Sequence, residues 1–204
     1  MEPTPTVSPP APGRLYSLAW VLYLAMAMGG ALWIGLREGV IPLRLFLDLQ
    51  GWWIDLLLGL GAAALLLGLW KGAERAFPLA RELEAQLAEV LGPLKPGEAV
   101  ALALLSGFAE ELFFRGAVQG TVGWPLAALL FGFVHTGPGR AFRLWTVFAL
   151  LAGFLFGALM ALRGNLLGPV TAHFVVNAVN LARLARREDS ARLRQGNTEG
   201  DKES

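Results

Sequence analysis

"SGFAEELFFR", residues 106–115, places two glutamates and an arginine inside a stretch of otherwise apolar and small residues. A charged side chain is costly at the centre of a lipid bilayer. Charged residues within membrane spans therefore usually face the interior of a helical bundle, where they mark functional sites. Two questions follow: whether this stretch lies in a membrane, and which other residues of the chain lie near Glu110, Glu111 and Arg115.

The composition of the chain answers the first question. Of its 204 residues, 55% are hydrophobic and 16% are charged. Apolar runs of roughly 20 residues recur, which is the length that a helix needs to cross the ~30 Å hydrocarbon core of a bilayer. The runs do not alternate as the strands of a membrane barrel do. We therefore predict an all-α, polytopic transmembrane helical bundle that resides in the lipid bilayer.

The composition argues against two features: sites built from cysteine and a surface that binds nucleic acid. The chain contains no cysteine, which rules out disulfides and thiolate metal sites. It also lacks a basic groove with interleaved aromatic residues, and its formal net charge is only +1, so we expect no nucleic acid partner.

The apolar pattern predicts about six spanning helices and one amphipathic surface helix. Residues 1–14 are rich in proline and are predicted to form a disordered tail. Residues 15–97 hold two spans and the amphipathic helix, residues 98–186 form the functional core, and residues 187–204 form a polar C-terminal tail. The six spans are placed at residues 15–36, 52–70, 99–118, 125–135, 142–162 and 168–184.

Residues 78–92 break the apolar pattern of the spans. Leu79, Leu83 and Leu87 recur at helical spacing, while charged residues such as Glu84 fall on other faces. We predict an amphipathic helix that lies on the membrane surface or against the bundle.

Lys and Arg residues are distributed unevenly between the two sides of the predicted membrane. Of the 17 such residues, only Arg37, Arg44 and Arg163 lie in the loops of one side. The others, apart from Arg115, lie in the N-terminal tail, the C-terminal segment and two loops of the opposite side. Cytoplasmic loops carry an excess of positive residues, so both termini are predicted to be cytoplasmic. The short loops are typical of a bacterial protein, and we place the chain in the bacterial inner membrane as a multi-pass protein.

Three short patterns carry polar residues into three different spans. They are Glu110-Glu111-x-x-x-Arg115, Phe131-x-x-x-His135 and His173-x-x-x-Asn177. The chain contains two histidines, and both lie in these patterns. A single polar residue in a span usually helps to hold helices together, at ~0.6 kcal/mol each. Helical rise, however, places these groups at a similar depth in three spans, and ionisable groups that converge in a membrane predict a functional site.

The first pattern gives its two glutamates different roles. Glu111 and Arg115 are four residues apart on one face of a helix and are predicted to form an ion pair. Glu110 lies about 100° around the helix from Glu111, and its own neighbour four residues on is Phe114. Glu110 therefore has no local cation and is predicted to be a general base, whereas Glu111 and Arg115 are predicted to support it.

The other two patterns supply the remaining candidates. His173 and Asn177 are also four residues apart and project from one helix face. An imidazole can donate, accept or bind a metal, and an asparagine amide can donate to a developing oxyanion. Phe131 is predicted to be a packing residue that orients His135.

The same residues allow a metal-dependent alternative. Glu110, His135 and His173 could bind zinc or another divalent metal, with one position open for water. The His-Glu-x-x-His arrangement of zincin helices is absent. We favour a site without a cofactor and retain the metal route as the alternative.

The three patterns, in this order, resemble those of the CPBP family of intramembrane proteases, which includes CAAX prenyl endopeptidases and bacteriocin-processing or self-immunity proteins. The resemblance covers about residues 98–184. It implies an intramembrane endopeptidase in which Glu110 and His135 activate a water molecule, while His173 and Asn177 stabilise the oxyanion. Family members are described both as metalloproteases and as metal-independent glutamic proteases, so both types stay open for this chain.

The resemblance further implies that the substrates are membrane-associated peptides or proteins. The prenylated CAAX proteins that eukaryotic members trim are not expected here, because the chain looks bacterial. A non-catalytic membrane scaffold, or a bacteriocin self-immunity protein that uses the same polar cavity, is the alternative from another class. A transporter is a third, and the absence of a visible inverted repeat argues against it.

Overall fold

The computed structural model describes residues 14–91 and 94–200, and every regular element in these ranges is helical. The α-helices are α1 (Arg14–Glu38), α2 (Trp52–Ala76), α3 (Pro78–Leu91), α4 (Pro96–Glu111), α5 (Gln119–Val122), α6 (Trp124–Val134), α7 (Ala141–Arg163) and α8 (Leu167–Gly200). A 3-10 turn, Leu43–Leu45, lies between α1 and α2, and a π-helical segment, Leu112–Val118, joins α4 to α5.

The predicted all-helical membrane bundle is confirmed. Within the described residues, three helices are long and apolar enough to cross a bilayer: Tyr16–Glu38, Trp52–Ala76 and Ala141–Arg163. Helix α6 is apolar but has only 11 residues, in agreement with the short fourth span. The third predicted span corresponds to α4 together with the π-helical segment, and the sixth corresponds to α8. The chain is therefore a multi-pass membrane protein.

The two predicted tails have different outcomes. The predicted N-terminal tail lies outside the described residues, except for Arg14, which begins α1. At the other end, the sixth span was predicted to end near residue 184, but α8 continues as a helix to Gly200.

Helices α4 and α8 form the centre of the bundle. They pack against each other, with α2 against α8, α1 against α4 and the π-helical segment, and α6 against α7. Gly107 makes the central contact close, because a Cβ atom at this position would lie 3.1 Å from the backbone nitrogen of Phe174. Small residues allow such close approach of membrane helices, which associate largely through van der Waals contact.

The amphipathic helix α3 lies against the bundle. Its apolar face buries Ala80 and Leu83 in a cluster with Trp70 and Ala141. Glu84, which lies on another face of α3 than the leucines, is also buried, and the indole N–H of Trp70 donates to its Oε1 at 3.3 Å. The donor on α2 gives one oxygen of this buried carboxylate a hydrogen-bond partner, which spacing along α3 alone does not reveal.

A buried polar cluster joins the start of α2 to the turn between α7 and α8. The Asp55 side chain is fully buried and accepts hydrogen bonds from Arg163 Nε and Asn165 Nδ2. Gly164 between these two donors has a φ of +71°, the left-handed conformation that commonly ends a helix. The cluster fixes the beginning of α8, and with it the register of the residues that α8 carries into the bundle.

The contact between α1 and the π-helical segment yields a stability prediction. A Cβ atom at Gly30 would lie 3.0 Å from the Cα atom of Phe113, whereas one at Gly29 would meet no heavy atom within 4 Å. We expect Gly30→Ala to lower the free energy of unfolding by about 1–3 kcal/mol through overpacking. Gly29→Ala should leave it unchanged or raise it by up to about 1 kcal/mol. Thermal unfolding in detergent measures both variants, and equal melting temperatures would contradict the close packing of α1.

Candidate active site

A cavity of about 270 Å³ lies within the bundle and receives side chains from α1, α3, α4, α6, α7 and α8. All four residues predicted to be catalytic line it: Glu110, His135, His173 and Asn177. The side chains of Glu110 and His173 are buried, and those of His135 and Asn177 are half-buried. The three sequence patterns thus meet around one space.

Glu110 and Glu111 are the last two residues of α4, and both are buried. Adjacent residues of a helix are rotated by about 100°, so the two carboxylates face different neighbours. Glu110 Oε2 lies 3.5 Å from His135 Nε2. Glu111 Oε1 accepts a hydrogen bond of 2.7 Å from His173 Nδ1. Each glutamate therefore contacts a different histidine.

The buried Arg115 compensates the charge of Glu111. Its Nε lies 3.1 Å from Glu111 Oε2, as the four-residue spacing predicted. The guanidinium carbon lies 4.2 Å from the ring centroid of Phe131 and 5.4 Å from that of Phe156. Nη2 donates to the carbonyl oxygen of Gly153 at 3.4 Å. A carboxylate, two aromatic rings and a carbonyl group thus replace part of the water that this cation loses on burial.

The helix changes from α to π geometry directly after the two glutamates, over Leu112–Val118. Turns of this kind are rare and often occur at functional sites. The sequence predicted an ordinary helix here. Arg37 of α1 fixes the far end of the segment, because its two terminal nitrogens donate to the carbonyl groups of Gly116 and Ala117 at 3.0 and 2.7 Å. The irregular segment thereby holds Arg115 beside Glu111.

His135 is the first residue after α6; two contacts fix its ring, and a third fixes its backbone. Its Nδ1–H donates to the carbonyl oxygen of Phe131 at 2.7 Å, and the two rings lie with their centroids 4.4 Å apart. The hydroxyl of Thr146 donates to the carbonyl oxygen of His135 at 3.0 Å, which anchors the backbone beyond the helix end. Only Nε2 of the imidazole is left to face Glu110.

His173 and Asn177 lie one turn apart on α8. The His173 ring stacks against Phe156, with centroids 5.4 Å apart. Because its Nδ1 is bonded to Glu111, its Nε2 is the nitrogen left for the cavity. The amide nitrogen of Asn177 donates to Ser106 Oγ at 2.9 Å, and its second N–H is left for a ligand.

Three residues with hydroxyl or amide side chains line the cavity but lie outside the motifs. Ser106 lies four residues before Glu110 on α4, so helical spacing could have identified it. Asn180 continues the polar stripe of α8 beyond Asn177. Tyr23 comes from α1 and had no signal in the sequence that linked it to the motifs.

The three predicted metal ligands do not fit a metal site as arranged. In the part of the chain that the structure describes, no three His, Asp or Glu side chains are placed to hold one ion. The Nδ1 atoms of His135 and His173 are already bonded to protein groups, so each ring offers a single nitrogen. We therefore derive the chemistry from the protein groups alone.

Comparisons with known proteins confirm the resemblance seen in the motifs. Residues 93–179 match the family described as type II CAAX prenyl endopeptidase Rce1-like. The uncharacterized protein YpbD of Bacillus subtilis (strain 168) is 39% identical over 82 residues. That alignment covers 39% of this chain and 42% of YpbD, so the chain spans less than half the length of this relative. No solved structure matches the chain.

The buried ion pair between Glu111 and Arg115 yields a prediction about stability. We expect Arg115→Met to lower the free energy of unfolding by about 3–5 kcal/mol, because it leaves a buried carboxylate without its cation. Adding Glu111→Gln should recover much of this loss. Unfolding in detergent measures the single and double variants, with the exposed Arg81→Met as the control. If the double variant loses the sum of the two single losses, the residues do not act as a pair.

Proposed function

On the premise that residues 93–179 form a core of the type II CAAX prenyl endopeptidase Rce1-like family, we propose that this chain is an intramembrane endopeptidase. It hydrolyses peptide bonds of membrane-associated peptides or proteins. One observation carries the proposal: Glu110 Oε2 is buried without a hydrogen-bond partner, 3.5 Å from His135 Nε2. A carboxylate oxygen and an imidazole nitrogen that border a cavity in this way are suited to hold one water molecule.

The first step is the activation of that water. Because Nδ1–H of His135 donates to Phe131, Nε2 of the neutral ring is an acceptor. The water donates one hydrogen to Nε2 and the other to the carboxylate of Glu110. As its oxygen attacks the carbonyl carbon of the substrate, the O–H bond facing Glu110 breaks and Glu110 takes the proton as a general base.

Hydrogen-bond donors on α8 stabilise the negative charge that develops on the carbonyl oxygen. The second N–H of Asn177 is one donor, and Nε2–H of protonated His173 is the other. Glu111 accepts from Nδ1 of the same ring and balances its charge. Glu110 then gives its proton to the leaving nitrogen, the carbon–nitrogen bond breaks, and a new carboxyl group and a new amine result.

The remaining wall of the cavity is apolar, and this suits the proposed substrate. It is formed mainly by Leu102, Trp145, Phe148, Val176 and Leu181. Apolar walls accept the side chains of a peptide segment that partitions into the bilayer. They also exclude bulk water and so strengthen the interactions of the charged groups at the polar end.

The topology is part of the same proposal. The excess of Lys and Arg in the tails and in the loops on one side of the bundle supports cytoplasmic termini. The loop that follows His135 belongs to that side, so the short helix α6 opens the site toward the cytoplasm.

A comparison of peptide ends in cells tests the proposal. We expect cells with the intact chain to contain new termini of membrane peptides that are absent from cells with Glu110→Gln, because the amide cannot accept the proton of water. Glu82→Gln, an exposed residue on α3, is the matched control and should leave the termini unchanged. If the intact chain and Glu110→Gln give the same termini, the assignment of the base is wrong, and a non-catalytic scaffold gains support.

The oxyanion donors can be tested on a peptide identified in that way. We expect Asn177→Ala to lower kcat by about 10²–10³-fold while leaving measurable cleavage. Glu110→Ala should leave essentially none, and Glu111→Ala should fall between the two because it acts through His173. Initial rates in matched detergent measure these differences. An Asn177→Ala variant as fast as the intact chain would remove this residue from the mechanism.

A further inference from the structure

Helix α1 brings a polar side chain to the cavity. Tyr23 is half-buried near the middle of this helix and lines the same cavity as Glu110 and His135. It lies outside residues 93–179, and none of the three motifs includes it.

The packing of α1 explains why Tyr23 reaches this position. Tyr23, Ala27, Gly30 and Ile34 follow one another at helical spacing on a single face. Ala27 and Ile34 pack into an apolar cluster with the π-helical segment, and Gly30 lets the two backbones approach closely. The same face, two turns earlier, directs Tyr23 toward the end of α4.

The phenol of Tyr23 and the carboxylate of Glu110 line the same cavity, and the two groups are close enough to interact electrostatically. A phenol is a donor and Glu110, when ionised, is an acceptor, so a hydrogen bond between the two runs from the hydroxyl to the carboxylate. A carboxylate held by such a bond keeps its orientation, and Glu110 Oε2 then stays beside His135 Nε2.

We propose that Tyr23 is a positioning residue for Glu110. Its hydroxyl donates to the carboxylate and holds it where Oε2 and His135 Nε2 can share one water molecule. The proposal rests on the proposed function. It makes α1, which carries no motif, a necessary part of the site.

The contact can be tested without any substrate. Tyr16 and Tyr23 are the only tyrosines in the chain, and the Tyr16 ring packs against Trp20. A chain labelled with 3-fluorotyrosine should give two ¹⁹F resonances, and Tyr23→Phe assigns them. We expect Glu110→Gln to shift the Tyr23 resonance and to leave that of Tyr16 in place, which also reports an intact fold. A Tyr23 resonance that does not move overturns the proposal.

Kinetics test the positioning role. We expect Tyr23→Phe to lower kcat about tenfold, because it removes one hydrogen bond to a charged group, while KM changes by less than about twofold. Tyr16→Phe, the matched control, should change neither constant. An unchanged kcat overturns the positioning role even if the fluorine shift is seen. A raised KM with an unchanged kcat also overturns it, because Tyr23 would then contact the substrate.

The two measurements separate the inference from the proposed function. If Glu110→Gln cleaves as fast as the intact chain, the proposed function fails and the positioning role fails with it. The fluorine shift then still decides whether Tyr23 and Glu110 touch. If cleavage depends on Glu110 but neither measurement responds to Tyr23, only the inference fails.

Discussion

The site depends on the carboxylate of Glu111, which is fully buried and bonded to two side chains from different parts of the chain. Arg115 approaches it from the π-helical segment and His173 from α8. A buried carboxylate is costly unless it is paired and hydrogen-bonded, and the loss of one partner leaves the charge exposed to an apolar surrounding. The three residues are therefore stable only as a set. Because they join α4 to α8, the two central helices are fixed to each other at the depth of the cavity.

This arrangement separates the roles of two neighbouring carboxylates. Glu111 is bonded to Arg115 and His173, whereas Glu110, one residue earlier, borders the cavity and His135. Groups of the same kind that sit in different environments can serve as acid, base or structural anchor. Because adjacent residues of a helix point in different directions, one of the two glutamates can position an imidazole while the other can accept a proton.

The sequence was sufficient for features that depend on one helix. Spacing predicted the pair of Glu111 and Arg115 and the end of a short span at His135, because both follow from the geometry of a single element. Contacts between helices that lie far apart in the chain left no such signal. Tyr23 reaches the cavity only because α1 packs closely on the π-helical segment, and Glu84 is buried only because α2 offers it a donor. The π-helical segment itself has a composition that fits an ordinary helix.

The central claim is that the two adjacent glutamates serve different histidines, Glu110 contacting His135 and Glu111 contacting His173. Because the chain holds only these two histidines, ¹⁵N NMR of the labelled imidazole rings tests the claim directly. The account predicts that Glu111→Gln shifts the Nδ1 resonance of His173 and leaves His135 unchanged, whereas Glu110→Gln shifts the Nε2 resonance of His135. Two histidines that respond alike to both substitutions, or to neither, would contradict it.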